Sequence, residues 1–161
     1  MLTIESFTPS HSQGVADLIV PIQRDEYSIA ITYEDQPDLC DIPGFYQTGS
    51  GGFWVAEDGG SLVGSIGLKD IGEDAVALRK MFVAPSHRGG AKGVAKALLD
   101  RVFAHAKDQG VTDIYLGTTA QFLAAHRFYE KHGFSPIDAS TLPAAFPRMA
   151  VDTRFYHLVL A

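Results

Sequence analysis

One segment, residues 75–99, constrains the fold of this chain more than any other. It reads AVALRKMFVAPSHRGGAKGVAKALL: an apolar run, a proline, a basic glycine-rich turn and a helical pattern. The apolar run predicts a strand over Ala75–Val83, which Pro85 interrupts because proline cannot donate to a strand ladder. Apolar residues at helical spacing predict a helix from Val94 to about Asp108. Because glycines before a helix expose backbone N–H groups at the positive end of its dipole, the segment predicts a phosphate-binding site.

The charge distribution favours a small anionic ligand over a nucleic acid. The whole chain carries a formal net charge of -6, yet no Asp or Glu occurs from Ala75 through Leu99. A local cationic patch on an acidic protein is typical of a site for a small anion. The spacing of its glycines fits neither the P-loop nor the dinucleotide-binding fingerprint. The cations of the patch are Arg79, Lys80, Arg88, Lys92 and Lys96.

Two motifs resemble the GNAT superfamily of N-acetyltransferases. Val83-Ala84-Pro85, then Arg88-Gly89 and Gly93-Val94-Ala95, resembles the acyl-CoA-binding motif of that family, with Arg88 and Gly93 two residues further apart than its usual pattern. The segment 125–134, AHRFYEKHGF, resembles its late helix, A-x-x-F-Y-E-K-x-G-F. The two motifs occur in the order and separation of that family, and the resemblance covers roughly residues 53–137.

The resemblance implies a single acetyltransferase domain over residues 1–161. Its fold class is α+β (mixed α/β): a central, mostly antiparallel sheet of about six to seven strands with helices on both faces. The pattern along the chain agrees. It predicts strands near 2–7, 53–57, 61–69, 75–83, 111–117, 134–137 and 154–160, and helices near 12–22, 94–108 and 120–132.

The resemblance also implies acetyl-CoA as cosubstrate and assigns roles to particular residues. Tyr129 is the expected general acid for the leaving thiolate. The family's frequent glutamate base falls on Ala77, while Glu73 and Asp74 lie upstream in a turn, so the base is left unassigned. The residues expected to bind the cofactor are Met81, Phe82, Val83, Arg88, Gly89, Gly90, Lys92, Gly93, Val94, Ala95 and Phe128.

The expected acceptor is a primary amine of a small molecule or a peptide, which attacks the thioester directly. Aromatic and apolar side chains from the first helices and the last loop are candidates for its pocket, with core packing as the alternative for each. The resemblance leaves a homodimer open. The pocket candidates are Tyr27, Tyr33, Tyr46, Phe146, Met149 and Phe155.

Composition limits the remaining classes of protein. No apolar run approaches the roughly 18 residues of a membrane span, the N-terminus has no signal-peptide pattern, and Cys40 is the only cysteine. No His, Cys, Asp or Glu spacing suggests a metal site. We therefore expect a soluble, cytoplasmic protein with no nucleic-acid or membrane partner.

Two alternatives to an enzyme stay open at this stage. The first is a non-catalytic acyl-CoA-binding regulatory module, which the unassigned base and the lengthened loop favour. The second is a protein that binds another diphosphate nucleotide, which the glycine spacing argues against.

Overall fold

A seven-stranded sheet forms the centre of the computed structural model, which describes residues 1–89, 92–119, 123–149 and 152–160. Its strands follow the order β1-β2-β3-β4-β5-β7-β6, and every neighbouring pair is antiparallel except β4 with β5. The predicted mostly antiparallel sheet is confirmed. The strands are β1 (Leu2–Ser6), β2 (Gly52–Asp58), β3 (Ser61–Gly72), β4 (Ala75–Val83), β5 (Asp113–Thr118), β6 (Ser135–Ile137) and β7 (Arg154–Val159).

The α-helices lie between β1 and β2 and on either side of β5. They are α1 (Ser12–Pro21), α2 (Pro37–Cys40), α3 (Ile42–Phe45), α4 (Val94–Asp108) and α5 (Leu123–Lys131). The sequence predicts a kink or an end of the first helix near Pro21. The α-helical pattern does end there, and a wider π-helical turn continues over Ile22–Glu26. In the part of the chain that the structure describes, no helix is long and apolar enough to cross a membrane.

The two faces of the sheet bury different sets of side chains, as the predicted helices on both faces require. Along β2, Trp54 and Ala56 face the helices α4 and α5, whereas Phe53 and Val55 face α1, α2 and α3. This alternation follows from the two-residue repeat of a strand. The amphipathic helix α4 buries Val94, Leu98, Leu99, Val102 and Ala106 against its face of the sheet.

Gly64 lets the start of α4 approach the sheet closely. A Cβ atom on Gly64 would lie 3.0 Å from side-chain carbons of both Val94 and Leu98. The sequence predicts such a close approach at the glycines of β3, and this one fixes the beginning of α4 beside the end of β4.

Candidate active site

A gap opens between β4 and β5, the one pair of parallel neighbours among the strands that the structure describes. Their pairing joins Ala75–Ala77 to Asp113–Tyr115 and ends there, although β4 continues to Val83 and β5 to Thr118. The backbone groups of the two strands beyond that point therefore face a space rather than each other. An extended chain lying in this gap could accept and donate hydrogen bonds on both sides.

A β-bulge at Lys80 distorts β4 beside the gap. The register between β3 and β4 shifts between Ser65 and Gly67, and Lys80 has a left-handed φ of 54°. The buried hydroxyl of Ser65 donates to the Lys80 carbonyl at 2.7 Å and fixes the bulge. Met81, just past the bulge, packs with the helices α4 and α5. Arg79, just before it, packs its guanidinium over the ring of Phe45 in α3, at 5.4 Å. In a regular strand Arg79 and Met81, two residues apart, would share a face, so the bulge is what places them on opposite faces of the sheet.

The glycine-rich loop ends at the N-terminus of α4, as the sequence predicts. Gly89 and Gly93 adopt left-handed φ angles of 97° and 71°, and Gly93 is the N-cap residue of α4 with no side-chain cap. The N–H groups of the first helical turn have no partner within a helix. Val94 and Ala95 thus present backbone donors at the positive end of the helix dipole, which suits a phosphate.

Arg88 is already paired within the protein, whereas a phosphate site would suggest a free cation at this residue. Its guanidinium forms a two-pronged ion pair with Glu26, with 2.8 Å between Nη2 and Oε2, and its Nε donates to the Val83 carbonyl at 3.0 Å. The ion pair raises the pKa of Arg88 and lowers that of Glu26. Arg88 therefore ties the loop to the end of β4 and to the turn after α1. Lys92 is exposed on the same loop, and Gly90 lies outside the described residues.

Tyr129 lies on α5, facing the bulge in β4. Its side chain is 7% exposed, and its hydroxyl donates to Met81 Sδ at 3.7 Å. Rings of Phe128, Phe134 and Tyr156 surround it. Burial raises the pKa of Tyr129 well above its ordinary value, so the hydroxyl keeps its proton at neutral pH. Because the hydroxyl is bound only to a weakly accepting thioether, it is free to turn toward a leaving group and give it a proton, and a thiolate that forms beside it must offset the weaker acidity that burial causes.

A polar network extends from Lys80 on the opposite face of the sheet. Lys80 Nζ donates to Gln36 Oε1 at 2.8 Å and lies 3.6 Å from Asp38 Oδ2. The same carboxylate oxygen accepts a hydrogen bond of 2.6 Å from the Tyr46 hydroxyl. All four side chains are buried. Tyr46 thus belongs to the core and supports Lys80.

The last loop and β7 bring three further pocket candidates to this face. Phe146 and Phe155 pack with Ala77 in a small apolar cluster, and Met149 Sδ accepts a hydrogen bond from Arg79 Nη2 at 3.4 Å. Met149 is therefore the member of the predicted pocket that contacts a charged group of β4. The predicted role of these side chains in binding an acceptor stays a prediction.

A carboxyl group that the sequence reasoning missed lies beside the gap. Asp152 Oδ2 accepts from the Met149 N–H at 3.1 Å, and a Cβ atom on Gly117 of β5 would lie 2.7 Å from the same oxygen. Burial raises the pKa of Asp152 against the lowering effects of the Met149 N–H and the Arg79 guanidinium. A partly buried carboxyl with a raised pKa is a candidate base. The one indication in the sequence is Gly117, two residues past the last residue of β5 that pairs with β4, because a glycine in a strand permits a close approach.

The other upstream acids lie elsewhere. Glu73 and Asp74 form the exposed two-residue turn between β3 and β4, with left-handed φ angles of 55° and 59°. Ala77, at the family's usual base position, is fully buried and apolar. Among the described residues, Asp152 is therefore the carboxyl that the fold brings to the rim of the gap on this face.

The structure brings most of the predicted cofactor residues to one region. The end of β4 supplies Met81, Phe82 and Val83, the loop supplies Arg88, Gly89, Lys92 and Gly93, and α4 begins with Val94 and Ala95. Phe128 is partly buried next to Tyr129 on α5. Their contacts with a cofactor stay predictions.

Comparison with known proteins identifies the architecture. Residues 16–134 match the family described as "Acetyltransferase (GNAT) family". A GNAT-family acetyltransferase from Staphylococcus aureus Mu50 shares 37% identity over the full length of both chains, with a TM-score of 0.95. A PaiA N-acetyltransferase from Thermoplasma acidophilum, solved with coenzyme A, covers 99% of each chain with a TM-score of 0.76; at 16% identity it shows the fold alone.

Curated relatives share part of the sequence. Probable N-acetyltransferase family 8 member 5 of Mus musculus is 41% identical over 104 residues, which are 62% of this chain and 45% of the relative. N-acetylaspartate synthetase of Danio rerio is 36% identical over 126 residues, covering 75% of this chain and 44% of the relative. The chain spans about half the length of the curated relatives it matches.

Proposed function

The chain belongs to the acetyltransferase (GNAT) family, and we propose that it transfers an acetyl group from acetyl-CoA to a primary amine of a small molecule or peptide. One observation carries this proposal. The gap between β4 and β5 lies between the phosphate-type helix start at Gly93 and the protonated hydroxyl of Tyr129. Acetyl-CoA fits this arrangement, with its diphosphate at the start of α4, its pantetheine arm in the gap and its thioester near Met81.

The chain's own groups supply the steps of the transfer. N–H groups of Val94 and Ala95 bind the diphosphate, and backbone groups at the end of β4 bind the arm and polarise the thioester carbonyl. The unprotonated amine nitrogen bonds to the carbonyl carbon, the carbon–sulfur bond breaks, and Tyr129 gives its proton to the departing thiolate. The nitrogen loses one proton as the amide forms, and that proton restores the Tyr129 hydroxyl. Direct attack needs no covalent adduct with the enzyme.

The test is acetyl transfer to a panel of amines, followed by thiol release and product mass. The panel contains amino acids, polyamines, peptides and aminoglycosides. Because several curated relatives are named N-acetylaspartate synthetase, aspartate is the first amino acid to test. Release of free CoA matched by an acetylated amine supports the proposal. Tight acetyl-CoA binding without transfer to any amine supports a regulatory module instead.

A further inference from the structure

Arg79 is a cation with unused hydrogen-bonding capacity. A guanidinium has five N–H donors. Among the described residues, that of Arg79 makes one hydrogen bond, to the weak acceptor Met149 Sδ, and stacks over Phe45. The side chain is half-buried in β4, so water can reach only some of its remaining N–H donors. Arg79 is therefore held in place by a thioether and an aromatic ring, with the N–H donors along the edge of its guanidinium left for a ligand.

The charges around Arg79 leave room for one more anion. Lys80 already has a buried partner in Asp38, at 3.6 Å. Arg148, on the last loop, lies over the ring of Phe155 rather than on a carboxylate. The guanidinium groups of Arg79 and Arg148 lower the pKa of Asp152, but burial raises this pKa by more than the two groups lower it. The cations of this region thus exceed the anions that neutralise them.

Arg79 and Asp152 stand on the two sides of the gap. Arg79 lies two residues past Ala77, the last residue of β4 that pairs with β5, and Asp152 covers Gly117, two residues past the last paired residue of β5. Both bind the same residue, since Arg79 donates to the side chain of Met149 and Asp152 accepts from its backbone. Both groups also lie on the face away from Tyr129.

We propose that the acceptor is an amine with a neighbouring carboxylate, such as an α-amino acid, and that Arg79 binds this carboxylate while Asp152 receives the ammonium group. The proposal rests on the proposed transferase function and names its class of acceptor. A guanidinium pairs with a carboxylate through two parallel hydrogen bonds, which gives orientation as well as affinity. A substrate held in this way presents its nitrogen to the gap from the side opposite the general acid.

The proton balance of the step follows from this placement. Asp152 takes one proton from the ammonium group, and the freed lone pair forms the nitrogen–carbon bond. The carbon–sulfur bond breaks, and the thiolate receives the Tyr129 proton. The nitrogen loses a second proton as the amide forms, and this proton replaces, by way of solvent, the one that Tyr129 gave. Asp152 releases its proton to solvent, so the products are the N-acetyl amino acid, free CoA and one proton, with both side chains back in their starting states.

The experiment compares matched acceptors in the wild type and in Arg79→Met. Amino acids with neutral side chains are assayed beside their α-carboxamides, together with aspartate and glutamate. We expect the wild type to prefer acids over carboxamides by about 30- to 100-fold in kcat/KM, as a charge-assisted pair predicts. Arg79→Met should remove this preference by raising KM for the acids alone. Arg101→Met is the control, because Arg101 stacks over Trp54 in the same manner but lies on α4.

Asp152→Asn tests the proposed role of Asp152 as the base. It should lower kcat/KM by about 100-fold or more for acids and carboxamides alike, because the base serves both. Acetyl-CoA affinity should stay unchanged in both variants, which shows that the fold and the cofactor site persist.

The outcomes separate this inference from the proposed function. Equal use of acids and carboxamides, or an equal loss for both in Arg79→Met, overturns the carboxylate site and leaves the transferase standing. If no amine is acetylated, calorimetry of the same amino acids with CoA-saturated protein decides. Binding that Arg79→Met abolishes supports the carboxylate site without the reaction, and the absence of binding overturns it.

Discussion

Gly93 and Gly110 provide a matched pair for testing the phosphate-binding loop. They flank the two ends of α4 with left-handed φ angles of 71° and 75°, and a Cβ atom on either would meet nothing within 4 Å. Alanine at either position therefore creates backbone strain without a clash. The left-handed conformation costs a residue with a Cβ about 1–2 kcal/mol. For a chain of this size, that corresponds to a melting temperature roughly 2–8 °C lower.

The two variants should differ in acetyl-CoA affinity. Val94 and Ala95 follow Gly93 directly, so the φ angle of Gly93 sets where their N–H groups point. If alanine draws the free loop out of the left-handed region, the cofactor must restore that conformation on binding. The 1–2 kcal/mol then appears as an affinity about 5- to 30-fold weaker, and the strain that the free loop has relieved no longer lowers the melting temperature. Gly110→Ala lies at the far end of α4 and should bind acetyl-CoA within about twofold of the wild type, within ordinary error.

Calorimetric titration with acetyl-CoA and thermal unfolding of the three proteins measure both quantities. A selective loss of affinity in Gly93→Ala, with a melting temperature no lower than that of Gly110→Ala, would support the loop as the diphosphate site. Equal affinity in the two glycine variants would refute the reasoning, because backbone direction at the start of α4 would then not matter for binding.

Four further predictions concern three single side chains. Tyr129→Phe should lower kcat about 100-fold or more with unchanged acetyl-CoA affinity, and steady-state kinetics with calorimetry check this; an unchanged rate would remove the general-acid role. Because burial raises the pKa of Tyr129 in the folded protein, this tyrosine ionises in the unfolded chain first, as pH rises past about 10. Above that pH the free energy of unfolding should therefore fall more in the wild type than in Tyr129→Phe, which denaturant titrations at several pH values measure. Glu26→Gln should bind CoA a few-fold tighter, because Arg88 is released for the phosphates, and weaker binding would assign Arg88 to loop anchoring alone. Lys80→Met should lower the free energy of unfolding by about 3 kcal/mol, since Asp38 loses its buried cation, and a loss below 1 kcal/mol in chemical denaturation would contradict this.

The sequence predicted the regular elements of this fold better than its irregular ones. The strand over 75–83 and the helix from Val94 to Asp108 were predictable because their apolar residues repeat with the period of each element. The N-terminus of α4 followed from its glycines. Asp152 was missed because it lies in a loop, where no repeat reveals which side chains meet, and its approach to Gly117 depends on long-range packing. Likewise, Arg88 looks like a free cation in the sequence, because its partner Glu26 is 62 residues away.

The bulge at Lys80 shows why the site could not be read from the pattern of β4 alone. A non-glycine residue at a left-handed φ costs on the order of 1–3 kcal/mol, and such residues concentrate at functional sites. Glycine would avoid this cost, but it would also remove the ammonium group that binds Gln36 and approaches Asp38. The strain is therefore tied to a side chain that the buried network uses. Because the same irregular residue directs Met81 toward Tyr129 and Arg79 toward Met149, it sets the separation between the proposed general acid and the proposed acceptor site. A regular strand would shift the register of every later side chain and break that arrangement.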